Sequence, residues 1–171
     1  ILLASRPLVA QEADPEKPAA TETKADAPAT PADEFQSIVD EFDKARAEFF
    51  AEYQKATTDE ERQKLINEKL PDPEVYAPRF LEFAKTHGAD PAAVDALLWI
   101  VTNCRSGKDL LAAADTLAAE HLTSEKMRSG IRSLINAHPA VAEKLLTGLA
   151  ENGTTREIKA MAAYAFAKVT K

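Results

Sequence analysis

Large apolar side chains return every three or four residues from position 35 to position 169, and short capping or turn signals break the pattern into pieces of one to two dozen residues. That period belongs to an α-helix with one buried face, and it leaves no run of strict alternation long enough to build a sheet. The first stripe, Phe35, Ile38, Val39, Phe42, Ala45, Phe49 and Tyr53, is rich in aromatics, while Asp40, Glu41, Asp43, Lys44, Arg46 and Glu48 fill its other side. Asp33 is the expected N-cap of this helix, with Gln36 three residues on as in a capping box.

Thr58-Asp59-Glu60-Glu61 is a second capping-box pattern, and Pro71 stops the helix it opens, because the residue before a proline is pushed out of the helical region. Asp72-Pro73 and Asp90-Pro91 start the third and fourth helices, each with proline at the first helical position, where its missing N–H costs nothing. Gly88 closes the third and Gly107 lies beyond the fourth. The spacing then predicts helices over Leu110 to Leu122, over Met127 to Ile135 with Ser124 as cap, after Pro139 as far as Asn152-Gly153, and over Ile158 to Val169. Eight helices in four hairpins follow: an all-α fold of stacked helical hairpins, TPR-like or α-solenoid-like. Sliding residues 79–101 onto 144–166 aligns Leu81 with Leu146, Gly88 with Gly153 and Trp99 with Tyr164, an internal repeat of 65 residues. That is about twice the 33 or 34 typical of helix-turn-helix repeats.

The segment ahead of the helices differs in kind. Residues 11–32 are mostly Ala, Pro, Thr, Glu, Asp and Lys, with no large apolar side chain to offset the entropy of ordering, so a disordered Pro/Ala/Glu-rich linker is expected there. Residues 1–10 read as the tail of a signal peptide, with cleavage expected after Ala10 and an exported, periplasmic or extracellular location for the helical domain at 33–171. No apolar run approaches the length of a membrane span. The net charge of −7, without a basic patch, argues against nucleic acid as a partner.

Reactive residues are few. Cys104 is the sole cysteine, which excludes an intrachain disulfide and the Cys-x-x-Cys pair of a dithiol oxidoreductase. It shares a helix side with Leu97 and Val101, where burial as a small hydrophobe is expected; the alternative is an exposed thiol that pairs with a partner. His87, His121 and His138 are each expected in the last turn of a helix, complementing its dipole, and their spacing is not that of metal ligands. Ser106-Gly107-Lys108 lacks the upstream glycine and strand of a phosphate loop and reads as a turn. Asn152-Gly153-Thr154 matches a glycosylation pattern but is read as a helix end closed by a left-handed residue. Glu60 and Glu61 are expected to serve a helix N-terminus. No catalytic, cofactor-binding or metal-ligating residue is assigned, and no cofactor is expected.

Thr58-Asp59-Glu60-Glu61-Arg62-Gln63-Lys64-Leu65, Glu68-Lys69-Leu70-Pro71-Asp72-Pro73, Tyr76-Ala77-Pro78-Arg79-Phe80-Leu81 and Asp90-Pro91-Ala92-Ala93-Val94-Asp95-Ala96-Leu97-Leu98-Trp99 together resemble the helical region ahead of the thioredoxin-like domain in exported bacterial TlpA-like (redoxin) proteins. The resemblance covers 35–171. It implies a non-catalytic accessory region whose partner is a downstream thioredoxin-like domain, with disulfide reductase or peroxidase chemistry in that domain's own cysteines. The present sequence has no such pair, so no active-site residue carries over. The alternative is a free-standing periplasmic helical-repeat scaffold that binds a protein partner.

Overall fold

A computed structural model describes residues 29–170, which form helices joined by short turns, with no strand among them. Eight α-helices follow in order: α1 (Pro31–Tyr53), α2 (Asp59–Lys69), α3 (Pro73–Thr86), α4 (Pro91–Asn103), α5 (Lys108–Thr116), α6 (Lys126–Leu134), α7 (Pro139–Asn152) and α8 (Arg156–Val169). A single π-helical turn, Leu117–His121, prolongs α5. The expected leader and most of the expected linker lie outside the described residues.

Local chemistry starts most of these helices. Thr58 accepts from the Glu61 N–H while the Glu61 carboxylate accepts from the Thr58 N–H, so two otherwise unpaired donors are satisfied at once. Asp72 and Asp90 accept from the N–H groups two residues on, and the prolines after them need no partner. Ser124 accepts from the Lys126 N–H ahead of α6. Two starts differ from expectation: Glu125, and not Ser124, holds the N-cap position of α6, without a side-chain cap bond. The first helix begins at Pro31, inside the expected linker, with Thr30 as N-cap and Asp33 as the third residue of its capping box.

Helices follow one another in two layers. α1 packs on α3, α3 on α5 and α5 on α7, while α4, α6 and α8 succeed each other beside them. Pairing within hairpins is uneven. The α3–α4 and α7–α8 pairs are in extensive contact, α2 touches α1 with no buried residue of its own, and α5 and α6 barely meet. The expected pairing of α5 with α6 is therefore corrected: α1–α2, α3–α4 and α7–α8 pair, the last two closely, and α5 and α6 pack across the stack. α6 is drawn instead onto α4, where Lys126 Nζ meets Asp95 at 2.7 Å and Leu98 fills the space that Gly130 leaves for want of a side chain.

The two close pairs are the ones the 65-residue repeat superposes. Leu81 and Leu146 are both buried. Their flanking glycines are not equivalent. A Cβ on Gly88 would meet only the Ala84 carbonyl oxygen at 3.6 Å, whereas one on Gly153 would lie 2.6 Å from the Leu149 oxygen and 2.7 Å from Ile158 Cγ2. Gly153 has φ −55°, so the expected left-handed helix end is corrected: glycine is needed there for space. The single positive φ among the described residues is at Gly107, +94°.

α1 joins the stack through aromatic rings. Phe42 sets its edge to Trp99 at 5.1 Å and to Tyr76 at 5.3 Å, Phe35 meets Phe80 at 5.8 Å, and Phe80 stacks on Trp99 at 4.1 Å. Contacts of this geometry contribute roughly 0.5–1.5 kcal/mol each beyond the area they bury.

Gly153→Ala is expected to destabilise the fold by about 1–3 kcal/mol, since a backbone oxygen and a buried isoleucine must shift. Gly88→Ala is expected to be neutral or to stabilise by up to about 1 kcal/mol. Thermal or urea unfolding of the two variants side by side checks the opposite signs.

Candidate functional site

The sole thiol is the first candidate. Cys104 is the residue that ends α4, extended at φ −80° and ψ 148°, with its N–H donating to the Ile100 carbonyl at 2.9 Å. It is 1% exposed among the core side chains. Burial, with the nearby carboxylates of Glu74, Asp72 and Asp109, pushes the thiol up to about 12 from its ordinary value of 9.0. A thiol of that kind is protonated at neutral pH and is neither nucleophile nor ligand. The expected burial is borne out, one residue beyond the helix. Neighbouring Arg105 turns away and donates to the Asn136 carbonyl at 2.5 Å.

Ser106-Gly107-Lys108 forms the turn from α4 to α5, as expected. Its free backbone donor is already used: the Glu74 carboxylate accepts from the Ser106 N–H at 3.0 Å and from its hydroxyl at 2.8 Å. A carboxylate seated there repels a phosphate from that amide. The turn is a clasp between α3 and α5.

The histidines part company. His87 caps the C-terminal end of α3, its ring is tilted over Phe83 with 4.6 Å between ring centres, and its Nε2 lies 3.0 Å from a Glu34 carboxylate oxygen. His121 ends the π turn. His138 is corrected: it occupies the N-cap position of α7, at the start of a helix, and makes no side-chain cap bond. Among the described residues no three His, Cys, Asp or Glu side chains gather as metal ligands would. Glu61 serves its capping box, with hydrogen bonds from the Thr57 and Thr58 backbones holding its carboxyl below the usual carboxylate range.

Between α1 and α3 runs an open groove of about 540 Å³, lined by Asp33, Glu34, Ser37, Ile38, Phe83 and His87 among others. Beside it α1 and α3 are bridged twice: His87 reaches Glu34, and Arg79 forms a fork on both oxygens of Glu41, the Nη2 to Oε1 arm at 2.9 Å. That fork holds the Glu41 carboxyl below the usual carboxylate range and raises Arg79. Among the described residues no buried side-chain polar atom lacks a hydrogen-bond partner. His87 with Glu34 and Arg79 with Glu41 hold α1 to α3. Sequence reading missed this pairing, since Glu34 and His87 stand 53 residues apart and no local spacing links them.

Large apolar side chains remain in solvent at Val75, Leu111, Phe50, Leu70 and Tyr164, which are 71, 56, 45, 50 and 64% exposed. They lie on α1, α3, α5 and α8 and at the Leu70 end of α2. No helix of the described residues is long and apolar enough to cross a membrane. Family models, curated proteins and solved structures offer no match to this chain, and the resemblance to exported redoxin proteins rests on the quoted phrases.

In the folded protein Cys104 is expected to resist an aromatic disulfide reagent at pH 8 and to react fully once urea unfolds the chain. Its folded value lies above its unfolded one, so its contribution to stability is intact below pH 9 and is lost as the pH climbs toward 12. The loss is about 1.4 kcal/mol per pH unit within that window. Urea midpoints of the native protein and Cys104→Ala, compared from pH 8 to 11, read this directly: the native protein loses more stability with rising pH.

Proposed function

We propose that this chain is a non-catalytic helical scaffold, whose layered hairpins space or present a protein partner. On the resemblance of the quoted phrases, that partner is the thioredoxin-like domain of an exported redoxin protein. The observation that carries the non-catalytic part is Cys104. The one residue that could take part in thiol–disulfide exchange is shut in the core and held protonated, and the turn beside it is clasped by Glu74. Redox chemistry in such a protein would have to come from cysteines elsewhere.

A second reading, a free-standing periplasmic scaffold, is favoured by the open α1–α3 groove. A groove along stacked helices suits an extended or helical peptide, which meets side chains from successive helices.

The coding sequence beyond Lys171 separates the two. An in-frame thioredoxin-like domain is expected, and a stop codon there removes the redox partner and leaves the free-standing scaffold. Export is checked independently by fractionating cells and sequencing the mature N-terminus, which should begin at Gln11. The purified chain should reduce insulin disulfides no faster than Cys104→Ser; activity lost in that variant would overturn the non-catalytic reading.

A further inference from the structure

The α1–α3 groove has a counterpart in the second close hairpin. An open groove of about 590 Å³ lies between the π turn and α7, with Ala118, Leu122, Glu143, Lys144, Gly148 and Glu151 in its lining. The five α3 positions that line the first groove are 79, 82, 83, 86 and 87. The 65-residue repeat carries them onto 144, 147, 148, 151 and 152, and all five of these line the second. The equivalent face of each close hairpin is hollowed in the same place.

The two hollows are also furnished alike. In each, the cation that the hairpin contributes is already tied to a carboxylate of the preceding helix in the layer: Arg79 forks on Glu41 of α1, and Lys144 meets Asp115 of α5. Where the first groove has Phe83 the second has Gly148, and Leu122 leans into the space, its Cδ1 3.0 Å from where a Cβ would stand. Both therefore have an apolar floor. Asp33, Glu34 and Glu82 line the first, and Glu143 and Glu151 the second. The whole layer has this sign. α1, α3, α5 and α7 carry thirteen acidic and six basic side chains, a net −7, whereas α4, α6 and α8 carry two acidic and six basic, a net +4.

We infer that the two grooves form one bipartite site for an extended basic segment of a partner protein, with an apolar side chain on each floor and lysine or arginine on each rim. With Arg79 and Lys144 both engaged, the charge left over at either rim is negative, which draws a basic segment in and turns an acidic one away. Packed helices lie about 8–10 Å apart, so grooves two helix positions apart stand about 20 Å from each other, a distance that about six extended residues cover. Such a site rests on the reading of the α1–α3 groove as peptide-binding, and the groove on α7 is what it adds.

Calorimetry of the full chain at low salt tests the bipartite site with three peptides: a single Lys-Leu-Lys block, two such blocks joined directly, and two joined by six Gly/Ser residues. Direct joining sets the leucines three residues apart, about 10 Å at full stretch and too short to span; the spacer sets them nine apart, with a reach of about 30 Å. The spaced peptide is expected to bind one to one and roughly tenfold or more tighter than the other two. Glu82→Lys and Glu151→Lys change exposed side chains, and circular dichroism confirms that the helices persist. Each should bring the spaced peptide down to the affinity of the single block. A spaced peptide with Glu-Leu-Glu blocks should not bind. A spaced basic peptide no tighter than the single block, an advantage that either variant leaves intact, or equal binding of the acidic version overturns the bipartite site. Single-block binding that Glu82→Lys alone weakens, with no gain from the spacer, leaves the α1–α3 groove as a peptide site and removes its counterpart; a chain that binds none of the peptides loses both.

Discussion

Everything in this architecture is arranged around α4. Eight of its thirteen residues are buried, Ala92, Ala93, Val94, Ala96, Leu97, Leu98, Ile100 and Val101, and they occupy more than one face of the helix. A helix with apolar side chains most of the way round is stable in water only when other helices enclose it. α3, α5, α6, α1 and the π turn all pack on α4. The two-layer order of the stack follows from that demand. α6 leaves its neighbour α5 for α4 because α4 offers both a carboxylate for Lys126 and a leucine that fits the flat surface at Gly130. Side chains there interlock by size, and close packing makes such fits selective.

The same enclosure governs chemistry. Cys104 sits where α4 ends and the core still closes over it, so a side chain capable of redox work behaves as a small apolar one. Around it Glu74 is drawn to Ser106, which uses up the backbone donor of the turn and adds negative charge near the thiol. Burial and charge act in one direction, against the thiolate. Three of the ion pairs that cross between helices, Arg79 with Glu41, Arg128 with Glu157 and Lys144 with Asp115, are at least half exposed on one side or both, where such pairs add little to stability but fix which neighbour lies alongside. In the proposed scaffold role, that orientation is what the charges contribute.

Features with local causes could be read from sequence. Asp72-Pro73, Asp90-Pro91 and Thr58 to Glu61 start helices because a side chain two or three residues away satisfies the first N–H groups, and each start lies where the residues place it. Thr30 obeys the same rule, but it sits in a stretch of Pro, Ala and Thr whose composition argues for disorder, and its partner is Asp33 in place of the usual Glu or Gln. Features with tertiary causes were illegible. Nothing near Gly153 reveals that Leu149 and Ile158 close over it, and nothing near His87 reveals Glu34. The pairing of α5 with α6 failed for a related reason. Periodicity reports that a helix has a buried face, and is silent on which of several competing faces will cover it.

Trp99 and Tyr164 carry the comparison of the two close hairpins one step further. They hold equivalent places in the repeat, yet Trp99 is covered by Phe42 and Phe80 while Tyr164 stands in solvent with the Lys168 ammonium 5.4 Å from its ring centre. Phe80 has its counterpart in Leu145, which is buried within its own hairpin, but Phe42 belongs to the long first helix, and the corresponding position ahead of α5 is Gly107, in a turn. α5 starts too late to reach Tyr164. A tyrosine suits that wet position better than an indole, because its hydroxyl bonds readily with water. The two hairpins therefore share an interior and differ in their cover: α1 seals the first with aromatic rings, and among the described residues no helix does this for the second.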